Sequence, residues 1–148
     1  MSWLTNHQLT NKVLRHGDPK MRAAFGGVYP LDTLPSTITH YPFFMFVNTQ
    51  SHNLPGMHWL VVFIDKDKVG EVFDSFALPL SNTLIRWMNR HTRRWWCNPL
   101  TLQHPLSATC GAFALYYAFH RFKEKTVTFY KTFHDNEKLV MLFHDSLK

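Results

Sequence analysis

Two blocks of consecutive apolar residues organise the middle of the chain. Phe43-Phe44-Met45-Phe46-Val47 reads as a compact buried strand, and His58-Trp59-Leu60-Val61-Val62-Phe63-Ile64 as a second. The second block is apolar at both parities, the pattern of a strand covered on both faces and therefore central in a sheet. Asp65-Lys66-Asp67-Lys68 is a turn, after which Val69 to Phe73 returns as a third strand. Helical periodicity flanks this region. Thr5-Asn6 followed by Gln8, Leu9, Val13 and Leu14 predicts a short amphipathic helix ending near Gly17. Phe25-Gly26-Gly27-Val28-Tyr29-Pro30 through Leu34-Pro35 is punctuated by Gly and Pro and is expected to be a loop. Ser81 or Asn82 caps a helix predicted to run to about Arg94. Its apolar stripe is Leu84, Trp87, Met88, His91 and Trp95, and Arg86, Arg90 and Arg93 share the opposite face. Leu100 to Gln103 is a short extended piece, broken by His104-Pro105-Leu106-Ser107. A helix follows from about Cys110 to Lys123, with Phe113, Tyr116, Tyr117 and His120 spaced for packing, and a last helix is expected near Asn136 to Ser146. The order of helix, strands, helix, strand and helix is that of an α+β fold.

At 148 residues the chain suits one domain spanning 1–148, long enough for a real core. Its 45% hydrophobic and 18% charged content excludes a disordered or collagen-like polymer. Aromatic residues reach 16%, which implies a core or groove lined with rings. No apolar run approaches the ~18 residues of a membrane span, so no membrane association is expected. The start lacks a charged stretch leading into an apolar block, so an unsecreted protein with reduced thiols is expected. Sixteen basic residues against ten acidic ones leave a net charge of +6. That balance leans towards polyanionic partners, nucleic acid first, although many soluble proteins are as basic for no special reason.

Two cysteines, Cys97 and Cys110, are too few for a disulfide scaffold. Cys110 opens a predicted helix, where backbone N–H groups without intrahelical partners favour an anion. Gly111 beside it leaves room for a substrate backbone. Taken alone, Ala108-Thr109-Cys110-Gly111-Ala112 is better explained as a small-residue packing contact. Its companions change that balance. A nucleophilic thiol needs an imidazole to hold and return its proton, and a third group to orient the ring. The midpoint between positions 58 and 74 is 66, inside the Asp65–Lys68 turn, so a simple hairpin centred there sets His58 directly opposite Asp74. Opposed Cβ atoms lie about 4.5–5.5 Å apart, which suits an Asp–His hydrogen bond. Gln103, seven positions before Cys110, can donate its amide to a developing oxyanion together with the Cys110 N–H.

His58-Trp59, Asp74-Ser75 and Gln103-His104-Pro105-Leu106-Ser107-Ala108-Thr109-Cys110-Gly111 resemble the catalytic segments of adenain-like cysteine proteases. That group holds the adenovirus maturation protease, relatives in small DNA viruses and Polinton-type elements, and the SUMO-deconjugating proteases. The order His, acidic residue, Gln, Cys is kept. Gly27-Val28-Tyr29 and Leu34-Pro35 also look like the segment before the first strands of viral members, so the likeness covers roughly residues 20–122. It implies a papain-like fold, a small mixed sheet with the nucleophile-bearing helix packed against it. It implies His58 as base and acid, Asp74 as its orienter, Cys110 as nucleophile and Gln103 as oxyanion donor. Trp59 would pack beside the histidine and shape the substrate cleft with Gly111. Substrates carrying Gly near the cut are implied, because a Cβ would clash in a narrow cleft. Adenain has Glu at the Asp74 position and more residues after its nucleophile.

Arg86, Arg90, Arg93 and Arg94, followed by Trp95 and Trp96, form the densest cationic and aromatic cluster. It is a candidate DNA-binding stripe with salt-dependent, sequence-independent affinity, or else a solvated helix face with its tryptophans in the core. Lys12, Arg15, Lys20 and Arg22 form a weaker second cluster. By the resemblance, DNA and a short peptide joined through a disulfide to Cys97 are the implied activators. The competing reading of Cys97 is a buried thiol beside Trp95 and Trp96. Ten histidines include His52 and His58 at a spacing found in half a zinc site, but nothing completes it, so no metal or small-molecule cofactor is expected. The leading expectation is a monomeric viral-type endopeptidase cutting precursor proteins during particle maturation, located in the host nucleus and the virion. The same triad would also serve an isopeptidase removing ubiquitin- or SUMO-like modifiers, or an acyltransferase. A basic, non-catalytic nucleic-acid-binding protein is the alternative from another class.

Overall fold

The two apolar blocks pair with each other. In the computed structural model, which describes residues 4–49 and 58–148, β2 (Phe43–Asn48) runs antiparallel to β3 (Trp59–Ile64), with Phe43 opposite Ile64 and Asn48 opposite Trp59. β4 (Val69–Phe73) returns antiparallel on the other side of β3. The outer strands are parallel to their neighbours: β1 (Phe25–Pro30) on β2 and β5 (Arg94–Cys97) on β4. The sheet order is β1-β2-β3-β4-β5, so the block apolar on both faces is indeed central.

Alternation along the strands divides the core in two. Phe44, Phe46, Trp59, Val61, Phe63 and Phe73 point to one face, beneath α1 (Asn6–His16), α4 (Cys110–Arg121) and α5 (Phe133–Ser146). Met45, Val47, Leu60, Val62, Ile64 and Val72 point to the other, beneath Leu84, Trp87 and Met88 of α3 (Asn82–His91). The result is a three-layer α+β architecture. α4 is apolar almost all round because it lies between β3 and α5 rather than at the surface. Its far end is anchored by Glu71 of β4, a buried carboxylate that accepts from Tyr117 and from Arg121, whose Nη2 lies 2.7 Å from Glu71 Oε2.

Local signals explain several boundaries. Thr5 and Gln8 form a reciprocal capping box at the start of α1. Ser81 caps α3 at Leu84 N, and Thr132 caps α5 at Asp135 N, three residues earlier than the expected start near Asn136. A further short helix, α2 (Pro19–Ala24), follows an Asp18 cap with Pro at its first position.

Three expectations are corrected. Phe25–Pro30 is a strand and not a loop. Its glycines suit a sheet edge: a Cβ on Gly26 would come within 2.0 Å of the Phe43 ring, and Gly27 has φ +115°. α3 stops at His91 and not near Arg94. Thr92 turns extended, the Arg93 N–H bonds Lys68 O, and Arg94–Cys97 joins the sheet edge. Arg86, Arg90 and Arg93 therefore do not share one helical face, and Trp95 leaves the α3 stripe. Leu100–Gln103 forms no strand; the N–H groups of Leu102 and Gln103 both bond Ser75 O.

Candidate active site

The β3–β4 hairpin sets the geometry of the first two candidates. Its loop is Lys66-Asp67-Lys68, with Lys68 at φ 64° and Asp65 Oδ1 accepting from the N–H groups of Asp67 and Val69. A three-residue loop ending in a left-handed residue centres the hairpin on 67, one position beyond a simple turn at 66. The ladder pairs Ile64 with Gly70 and Val61 with Phe73. Continued outward, it sets His58 across from Phe76 and Leu60 across from Asp74. His58 and Asp74 stay on one face, as diagonal neighbours rather than an opposed pair. Both expected consequences are present: the His58 and Phe76 rings stack at 4.9 Å, and His58 Nε2 reaches Asp74 Oδ1 at 2.7 Å.

Asp74 is tightly held. Its Oδ1 also accepts from the Phe76 N–H and its Oδ2 from the Leu78 N–H. Asn98, just after β5, clamps its backbone on both sides, accepting from the Asp74 N–H at 2.9 Å and donating to its carbonyl at 2.7 Å. With Nε2 committed to Asp74, Nδ1 is the remaining ring nitrogen; it is buried and makes no bond to nitrogen or oxygen. Burial opposes charge on this ring. The hydrogen bond to Asp74, the Cys110 thiol and the Asp74 charge outweigh it and raise the His58 pKa from 6.5 to about 9. At neutral pH the ring holds its second proton.

Cys110 is the first residue of α4 and only 1% exposed. Gln103 is fully buried, held at its carbonyl by Ser75 Oγ (2.5 Å) and at its amide by donation to Ser107 O (3.1 Å). Ser75 and Asp74 are adjacent, so the end of β4 fixes both the histidine's partner and the glutamine. Ser75, Phe76 and Asn98 are site-shaping residues that the sequence reading did not single out. Ser75 had a local signal, its place beside Asp74; Asn98 had none. A cleft of about 250 Å³ adjoins the dyad, lined by His58 and Asp74 with Leu31, Leu60, Leu78 and Leu84 among others.

Other candidates lie elsewhere. Trp59 is buried on the opposite face from His58, and its indole N–H donates to Leu4 O at 3.0 Å. A Cβ on Gly111 would sit 2.7 Å from Leu4 Cδ1. Both thus pack against the N-terminal segment. Arg86, Arg90, Arg93 and Arg94 are all exposed, the first two on α3 and the others at the β5 edge. Trp96 is 47% exposed and Cys97 is exposed on β5, which overturns the reading of Cys97 as a buried thiol and of Trp96 as a core residue. His52 lies outside the described residues. Among the described residues no group of three His, Cys, Asp or Glu is placed to hold a metal, and no helix is long and apolar enough to cross a membrane.

No protein-family model matches the chain, and no curated protein does. Solved structures do match. Its fold is similar to that of the ASFV pS273R protease. Two crystal structures of that protein superpose with TM-scores of 0.60 and 0.59 at 18% identity, covering 86% and 81% of this chain. They cover 60% and 57% of the protease, so this chain spans well under two thirds of its length. The central domain of the uncharacterized Lpg1148 protein from Legionella pneumophila also superposes, with a TM-score of 0.52 and 16% identity over 99% of this chain and 86% of that one. The α+β architecture, with the Cys110 helix against a mixed sheet, is thus one that a viral protease uses.

Proposed function

We propose that the chain is a thiol endopeptidase in which Cys110 is the nucleophile, His58 the proton carrier, Asp74 its orienter and Gln103 an oxyanion donor. The observation that carries this reading is the His58 Nε2–Asp74 Oδ1 contact of 2.7 Å, made by a ring whose charge state also responds to the Cys110 thiol. In the reaction the Sγ proton is already carried on His58 Nδ1, and Sγ attacks the scissile carbonyl carbon as the thiolate. Negative charge moves to the carbonyl oxygen, where the Gln103 amide and the Cys110 N–H receive it. Collapse breaks the C–N bond, and Nδ1 returns its proton to the leaving amine. Water then loses a proton to Nδ1 and attacks the thioester carbon; the C–S bond breaks, the acid leaves, and the thiolate is restored beside the protonated ring.

Burial of Cys110 supports substrates with Gly beside the cut, since a side chain there would obstruct approach to the thiol. In this proposal the natural targets are precursor proteins cut during maturation of a virus-like particle, in the host nucleus and the virion. The exposed arginines support DNA as an activator, and exposed Cys97 on an edge strand supports an activating peptide attached there by a disulfide. The test is hydrolysis of fluorogenic peptides with Gly flanking the cut, under reducing conditions, with and without duplex DNA. Turnover is expected in the wild type and in Cys97→Ala, and lost in Cys110→Ala with the fold retained. Turnover surviving in Cys110→Ala would remove the central assignment. Cleavage confined to ubiquitin- or SUMO-like conjugates would redirect it to an isopeptidase.

A further inference from the structure

The loop that delivers both Gln103 and Cys110 is fastened from α5. Asn136, buried in the first turn of that helix, donates to Leu102 O at 3.2 Å and accepts from the Tyr130 N–H at 2.7 Å. The next residue, Glu137, accepts from Thr109 Oγ1 through Oε2 at 2.7 Å. A carboxylate only accepts, so the Thr109 hydroxyl proton is committed to it. Ser107 Oγ, 2.7 Å from Thr109 Oγ1, must then be the donor in that pair, while it accepts from the Thr109 N–H at 3.3 Å. Every proton in the run is thereby assigned, and Ser107 is held in one orientation. Its carbonyl is the acceptor of the Gln103 amide at 3.1 Å.

Thr109 does not use its hydroxyl as an ordinary helix cap. It makes no side-chain bond to the first turn of α4 and has φ −100° and ψ 16°, outside the extended backbone of the other caps. The second oxygen of Glu137, Oε1, is buried without a hydrogen-bond partner. Both features cost stability, and neither is needed merely to join α4 to α5, which pack through apolar side chains.

The geometry points to Glu137 as a positioning residue for the proposed reaction, acting through Thr109 and Ser107 to aim the Gln103 amide at the oxyanion. This rests on the protease reading. Glu137 touches no reacting atom, and its effect passes through the loop that carries the oxyanion donor.

The test is a double-mutant cycle on the purified full chain, read as kcat and KM with the Gly-flanked fluorogenic peptide. Glu137→Ala and Thr109→Val are each expected to lower kcat by roughly 10- to 100-fold, as misplacement of a catalytic group does, with KM unchanged. Glu137→Gln should retain most of the activity, because its amide oxygen still accepts from Thr109. In a Gln103→Ala background, or Gln103→Met if the smaller residue unfolds the protein, Thr109→Val should cost less than about twofold. Losses that simply multiply in the double variant would overturn the inference, as would a change confined to KM or Glu137→Gln faring no better than Glu137→Ala. Thr109→Val is nearly isosteric and keeps the cycle usable if Glu137→Ala does not fold. Active wild type with a multiplicative cycle sinks this inference alone; wild type inactive with and without DNA sinks it together with the protease reading.

Discussion

Asp74→Asn removes the charge beside His58 while keeping the side chain's size. In the wild type the imidazole titrates at about 9 in place of 6.5. At 1.36 kcal/mol per pH unit, that gap amounts to about 3 kcal/mol of preference for the imidazolium. The two side chains are 16% and 5% exposed, so solvent screening leaves most of it in place. Burial pushes the ring the other way and only Cys110 then still favours the charged form, so in Asp74→Asn the His58 pKa should fall well below 9. NMR titration of the imidazole between pH 5 and 10 reads this directly, with no substrate involved. Stability should follow. A histidine whose folded pKa lies above its unfolded value contributes stabilisation that is complete below about pH 6.5 and disappears as pH rises through about 9. The gap between wild type and variant in urea unfolding should therefore be widest below pH 6.5, by up to about 3 kcal/mol, the share owed to Cys110 remaining in the variant. It should close towards pH 9, down to a pH-independent remainder from the bonds that Asp74 accepts from Phe76 and Leu78. An Asn side chain can also donate to Nε2, which would place the imidazole proton on Nδ1 and cost up to about 10⁴-fold in kcat. A His58 that still titrates near 9 in the variant, or a stability gap independent of pH, would refute the assignment of Asp74 as the group that sets the ring's charge.

Other expectations follow from the same contacts. Gln103→Ala should lower kcat about 10²–10³-fold and also reduce stability in chemical denaturation, because Ser75 Oγ loses its acceptor in a buried site; a change of only a few-fold in kcat would demote the glutamine to a structural role. Glu71→Ala leaves Arg121 and Tyr117 without their carboxylate and should cost about 3–5 kcal/mol in urea unfolding. Gly26→Ala sets a methyl within 2.0 Å of the Phe43 ring, so the melting temperature should drop by more than for Gly17→Ala, where the close contact is a single carbonyl oxygen at 2.6 Å. If DNA binds through the arginines, Arg86→Ala with Arg90→Ala should flatten the salt dependence of affinity independently of Arg93→Ala with Arg94→Ala, since the two pairs lie on different elements; equal slopes in all variants would move the site towards Lys12–Arg22.

What the sequence determined by itself is what local chemistry encodes. The apolar blocks at Phe43 and Trp59 had to be buried strands, and the block at Trp59 had to be central, because no exposed face could carry those side chains. Caps marked the starts of α1 and α3, and small residues followed by aromatics marked α4. The nearness of His58 to Asp74 was legible because a hairpin ties positions close in sequence to positions close in space. Tertiary structure decided the rest. Whether Phe25–Pro30 and Arg94–Cys97 are strands depends on a parallel neighbour distant in the chain, and parallel pairing leaves no local turn to announce it. The hairpin's centre depended on Lys68 adopting a left-handed backbone, which moved the dyad from opposed to diagonal without turning either side chain to the other face. Glu137 and Asn98 meet the site across 28 and 24 residues of chain, and Trp59 and Gly111 meet Leu4 across still longer spans. Such contacts are selected by how finished elements pack, and no periodicity within any one segment records them.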